Sequence, residues 1–196
     1  MVNPQPPSIN IELPMTALPS GNRKNESHVS HQAGPGNTFL HIDFIASSCV
    51  IGKFLEMPWL DSREVLAYFY CSRTSSDTRQ QDPKAILLSI LRQLASSLPG
   101  LPLKSPVITA YDKETVRGSR EARLSVDEIK VLLNELIQNH YDSVTIVLDA
   151  LDECDASSRM HLLDTITTLT YNPKTIVKTL VSSRSDSDIM GHFLKV

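Results

Sequence analysis

The chain has 196 residues, 41% apolar and 21% charged, with a formal net charge of −3. That is enough for one globular core, and it lacks the broad basic field of a non-specific nucleic-acid binder. Cys49, Cys71 and Cys154 are widely spaced with no CxxC pair, which argues against a disulfide framework or a zinc site and fits a reducing, intracellular, cytoplasmic setting. No run approaches the roughly 20 apolar residues that span a bilayer, and the amino terminus lacks a basic start followed by an apolar stretch, so neither membrane insertion nor secretion is expected.

Residues 1–37 carry Pro, Ser, Asn, Gly and His with little apolar periodicity and are expected to form a flexible leader, leaving one domain over 38–196. "FLHIDFIASSCVIGKFLE", residues 39–56, reads as a strand followed by a helix with Cys49, Val50, Phe54 and Leu55 on one side. "EVLAYFYCS" is short, aromatic and β-branched between polar neighbours, which predicts a buried strand over 65–71. In "DPKAILLSILRQLASSLPG", Asp82 stands at the N-cap, Pro83 at the first helical position, and Ile86, Leu87, Ile90, Leu91 and Leu94 recur at helical spacing. Residues 99–124 form a proline-containing linker with one short helix around "PVITAYDK".

"SVDEIKVLLNELIQNH" opens with a capping box, Ser125 answered by Glu128, and carries a stripe of Ile129, Leu132, Leu133, Leu136 and Ile137. "SVTIVLD" is a continuous apolar strand, the pattern of a parallel strand covered on both faces. The alternation then repeats: "ASSRMHLLDTITTLTYN" is a helix expected to be capped by Asp155, and "TIVKTLVSSR" is another buried strand. This order of elements predicts an α/β fold with a parallel sheet.

"TIVLDALDECD", residues 145–155, places four carboxylates directly behind an apolar strand. In open parallel sheets, ligands bind beyond the carboxyl ends of the strands. Asp149, Asp152 and Glu153 would repel one another there unless a cation or hydrogen-bond donors offset the cost. A magnesium ion takes one or two carboxylates plus phosphate oxygens, so one acid can hold the metal while another orients an attacking water. Asp155 has the simpler role of a helix cap.

With "AYFYCSR" and the "DPKAILLSILRQL" helix before it and "TLVSSRSDSDI" after it, this segment resembles the NACHT module of the STAND class of P-loop NTPases. The resemblance is to the nephrocystin-like amino-terminal form of fungal NLR-like proteins, and it spans about residues 64–190. It implies a three-layer P-loop NTPase-like sheet with helices on both faces. It also implies that "IVLDALDE" is the Walker B segment, with Asp149 on the magnesium side and Asp152 and Glu153 as the acids of hydrolysis. Arg184, with Ser183 before it in "SSR", becomes a sensor of the phosphate end of ATP or ADP. An ion pair between Arg184 and the acids is compatible with that role. Family members commonly continue into helical and repeat domains and act in signal transduction by assembling with protein partners.

The phosphate loop that such a module needs, GxxxxGK[ST], occurs nowhere in the sequence. Lys104-Ser105 is flanked by Leu103 and Pro106, "QAGPGNTFL" has no lysine, and Lys53 after Gly52 is followed by Phe54 rather than a hydroxyl residue. The resemblance places the loop near 38–46, where the chain reads "TFLHIDFIA", so the fold is expected to be incomplete at its first strand, a strand that is central in the family's sheet. Without the lysine and the cradle of N–H groups, efficient ATP hydrolysis is not expected. Two functions follow as expectations: a partial signal-transduction NTPase, or a non-catalytic module that associates with relatives or partner domains. A cysteine hydrolase built on Cys154 and His161 is disfavoured, because the surrounding acids oppose a thiolate.

Overall fold

The computed structural model describes residues 29–32, 38–42, 51–52, 56, 63–74, 76–96, 102–116 and 124–193. Among the described residues five strands form one sheet: β1 (Val29–Gln32), β2 (Thr38–Ile42), β3 (Glu64–Tyr70), β4 (Ser143–Asp149) and β5 (Ile176–Ser182). Their order is β1-β2-β5-β4-β3, with β2, β5, β4 and β3 parallel and β1 antiparallel on the edge. The helices are α1 (Pro83–Ala95), α2 (Ser105–Val116), α3 (Val126–His140), α4 (Arg159–Thr170) and α5 (Ser187–Phe193). Among the described residues no helix is long and apolar enough to cross a membrane.

Local chemistry sets the helix starts where the sequence placed them. Asp82 accepts from the Lys84 N–H with Pro83 at the first helical position, and Ser125 and Glu128 close the capping box in both directions. The apolar stripes of α1 and α3 are buried, as are Val65 and Ala67 of β3, Val144, Ile146 and Leu148 of β4, and Val177 and Val181 of β5. These residues form one continuous core, in which each fully enclosed Leu or Ile contributes about 2 kcal/mol. Tyr141, 1% exposed, ties the end of α3 to α1 by donating its hydroxyl to the Leu94 carbonyl at 2.5 Å. Lys104 lies 4.8 Å over the Tyr141 ring, a packing role in place of a phosphate-binding one. On the β3 edge, Gln93 accepts from the Tyr68 N–H at 3.0 Å and donates to the Tyr68 carbonyl at 2.8 Å. Its amide thus stands in for a neighbouring strand and blocks pairing with another chain at that point.

The steps from β3 to β4 and from β4 to β5 run in the same direction across the sheet, and right-handed crossovers therefore place their helices on one face. The shared core of α1, α3, α4 and α5 agrees. The expectation of helices on both faces is met on one face among the described residues.

Three boundaries also move. β1 falls inside the stretch read as a leader, because residues 29–32 pair with 38–41 in an antiparallel ladder. The excursion between α1 and α3 holds a twelve-residue helix, Ser105–Val116, longer than the short helix expected around "PVITAYDK". The strand read in "FLHIDFI" forms: β2 lies between β1 and β5 with Thr38 opposite Lys178 and Ile42 opposite Ser182. Of the helix read over 46–56, Ile51, Gly52 and Glu56 are helical, while Cys49, Val50, Phe54 and Leu55 lie outside the described residues.

Candidate functional site

Parallel pairing carries β3, β4 and β5 to a common carboxyl end, where β4 delivers Asp149 beside Ser182 of β5. Asp149 is fully buried, and its Oδ1 accepts a short hydrogen bond from the Ser182 hydroxyl. The Ser182 oxygen in turn accepts from the Ala150 N–H at 2.9 Å. Ala150 then turns the chain with φ 54° and ψ 47°, the left-handed region that favours glycine. This turn leads directly into a 3₁₀ turn, Leu151–Glu153, that presents the next two acids.

Asp152 is 7% exposed, and both its carboxylate oxygens are engaged by one residue. The Arg184 N–H reaches Oδ1 at 3.0 Å and the Arg184 Nε reaches Oδ2 at 2.6 Å. Arg184 Nη2 also stands 3.6 Å from Glu153 Oε1, and the Arg73 N–H donates to Glu153 Oε2 at 2.9 Å. The guanidinium of Arg73 donates to the Asp152 carbonyl at 2.6 Å. Below the loop, Arg159 is 1% exposed, donates to Asp186 at 2.9 Å and Asp188 at 2.5 Å, and reaches the Leu151 and Asp152 carbonyls at 3.4 Å. The Arg159 hydrogen bond holds the Asp188 carboxyl down at about 2.

The acids singled out by sequence thus land at the end of β4 and in the loop that follows it, and Arg184 lands against two of them. Ser183 is half-buried and donates its hydroxyl to the Arg184 carbonyl at 2.7 Å, which shapes the backbone that aims Arg184. Asp155 is a correction. Helix α4 begins at Arg159 and its N-cap position is Ser158, while the Asp155 carboxylate accepts from the Ser157 and Ser158 hydroxyls at 2.7 and 2.5 Å. The carboxylate also accepts from the Ser157 N–H at 3.4 Å and the Asp155 carbonyl from the Arg159 N–H at 2.9 Å, so Asp155 closes the turn that leads into the helix without being its N-cap. Arg73, Arg159 and Ser182 were missed. Arg159 had a signal, since a cation in the first turn of a helix opposes the macrodipole and needs a reason to be there.

Cys71 and Cys154 are buried free thiols. Burial pushes Cys154 up to about 11, and its Sγ donates to the Gln81 carbonyl at 3.3 Å. Burial likewise raises Cys71. His161 is exposed on α4. A thiolate nucleophile is not supported.

The donor set does not fit a hard dication as it stands. Both Asp152 oxygens lie on Arg184, Asp149 is enclosed with Oδ1 on Ser182, and Glu153 accepts from Arg73. Magnesium needs carboxylate oxygens turned toward it. Among the described residues no group of three or more His, Cys, Asp or Glu is gathered for a metal.

The fold and the loop define an α/β module whose parallel strands end in an acidic, arginine-bridged turn. Residues 29–184 match the profile of the family described as Nephrocystin 3, N-terminal, and the chain belongs to that family. No curated protein and no solved structure matches it.

Proposed function

We propose that the chain is a NACHT-type signal-transduction module of P-loop NTPase descent in which ATP hydrolysis is weak or absent. The observation that supports this most is the double engagement of Asp152 by Arg184, through its backbone N–H and its Nε. An acid committed to an arginine on both oxygens is neither a metal ligand nor a water-orienting base. The sequence adds to this: β2 ends at Ile42 beside Ser182, and the residues that follow it, 43–50, contain neither glycine nor lysine. In this reading Asp149 keeps the magnesium-side place of a Walker B strand, Asp152 and Glu153 the hydrolytic places, and Ser183 and Arg184 the sensor place, as inherited geometry. Mg-ATP or Mg-ADP would meet this loop only if Arg184 withdrew.

A second reading, a non-catalytic module working through association with protein partners, is favoured by the same arginines. Arg73, Arg159 and Arg184 supply the positive charge that the acidic loop needs without nucleotide. Steady-state Mg-ATP turnover separates the readings from an active NTPase. We expect no turnover above background, and turnover abolished by Glu153→Gln would overturn the proposal.

A further inference from the structure

None of the residues of the acidic loop lines the groove between α2 and α3, which encloses about 560 Å³. Pro106, Ala110, Leu124 and Leu132 give it an apolar lining, and Val131 stands on its α3 side. Val131 is 64% exposed, the most exposed of the large apolar side chains described. It lies off the buried stripe of α3, where a β-branched residue helps neither the core nor helix propensity. Asp127 and Glu135 lie one turn before and one turn after it on the same side of the helix, and both border the groove. Glu128 also borders it but is held in the capping box. No lysine or arginine is among the described residues that line the groove.

An apolar trough with carboxylates about 12 Å apart along one wall suits a helix that lays an apolar stripe into the groove and sets cations over the acids. We propose that the α2–α3 groove receives an amphipathic, Lys- or Arg-bearing helix of a partner protein. This names the surface for the association reading given above and rests on it. Apolar burial supplies affinity, and the carboxylates set orientation and on-rate.

The test titrates the full chain with a synthetic amphipathic Lys/Leu helix of about 14 residues, and with its Glu/Leu counterpart, by amide-shift mapping and anisotropy. The expected result is binding of the Lys/Leu helix alone, with shifts centred on 105–110 and 124–135. Val131→Asp should weaken it about tenfold even though it adds negative charge, and Asp127→Lys with Glu135→Lys should weaken it by a similar factor. Binding unaffected by Val131→Asp is unspecific charge attraction and overturns the proposal, as do shifts centred elsewhere. Self-association abolished by Val131→Asp gives the groove to a second copy and overturns it too. So does binding seen only after Arg117, Arg120 and Arg123, in the segment joining the two helices, are replaced by Ser. The failures are distinguishable: no turnover with no peptide binding sinks the groove alone, whereas Glu153-dependent turnover with intact peptide binding sinks the non-hydrolysing reading alone.

Discussion

Two arginine–carboxylate clusters flank the same loop and are built as mirror images. At Arg184 the cation is exposed, with 75% of its side chain open, and the acid is enclosed, with Asp152 at 10%. At Arg159 the cation is enclosed, at 1%, and Asp186 and Asp188 are about a third exposed. Breaking a pair costs most when it strands the buried member, because a desolvated charge then has no partner. The Arg159 cluster is therefore a structural rivet joining the loop carbonyls to the start of α5. At the Arg184 cluster the enclosed member, Asp152, keeps the Arg184 backbone N–H when the exposed guanidinium leaves, so it is only partly stranded.

The largest expected effect breaks the rivet. Asp186→Ala with Asp188→Ala leaves the buried guanidinium with only the two carbonyls, and unfolding in urea should show a loss of about 3 kcal/mol. That is the low end for such pairs, because both acids already share their charge with water. Arg184→Ala should lower the same urea midpoint less than half as far. Its backbone N–H still serves Asp152, and the departing side chain is mostly solvated. Equal losses from the two variants would erase the distinction between rivet and latch.

The same contrast explains what was legible in the sequence. Helices α1 and α3 were readable because their causes are local: a cap at Asp82 or Ser125 and an apolar stripe within one segment. The strands β3, β4 and β5 were readable as short apolar runs, and the carboxylates stood out as a cluster of like charge. The counter-ions were harder to read. Arg73 and Arg159 meet the loop through packing of separate elements, and Arg73 lies 80 residues from Glu153 in sequence. Ser182 becomes a partner of Asp149 only once the register of β4 against β5 is set. Asp155 was misread because Asp and Ser each cap helices, and the choice among Asp155, Ser157 and Ser158 depends on the turn they make together. β1 was missed because a four-residue polar strand, "VSHQ", has no periodicity to read.

A pH titration sharpens the comparison with a smaller effect. Asp188 is lowered from the ordinary 3.8 to about 2, chiefly by the Arg159 hydrogen bond. A depressed carboxylate contributes stability that is fully present above its unfolded value and is lost as pH falls through its folded one. Asp188→Asn should therefore be less stable than the parent at pH 7, with the gap closing between about pH 4 and pH 2. A gap that persists unchanged at pH 2 would mean that shape, rather than charge, holds Asp188 in place.

The smallest expected effect lies at Ala150, between the two clusters. An alanine in the left-handed region costs about 1 kcal/mol relative to its usual conformations. The turn nevertheless holds, because the Ala150 N–H is fixed on Ser182, Arg184 holds Asp152, and Arg73 and Arg159 reach the carbonyls just beyond it. Glycine adopts the same angles without strain but loses more chain entropy on folding, about 0.5–1 kcal/mol. The two terms nearly cancel, so Ala150→Gly should gain about 0.5 kcal/mol or less in urea unfolding. Ala150→Val, whose branched side chain is worse still at positive φ, should lose about 1–2 kcal/mol. A glycine variant that lost stability by a similar amount would show that the methyl group packs usefully, and that the turn is set by that contact rather than by the clamps on either side of it.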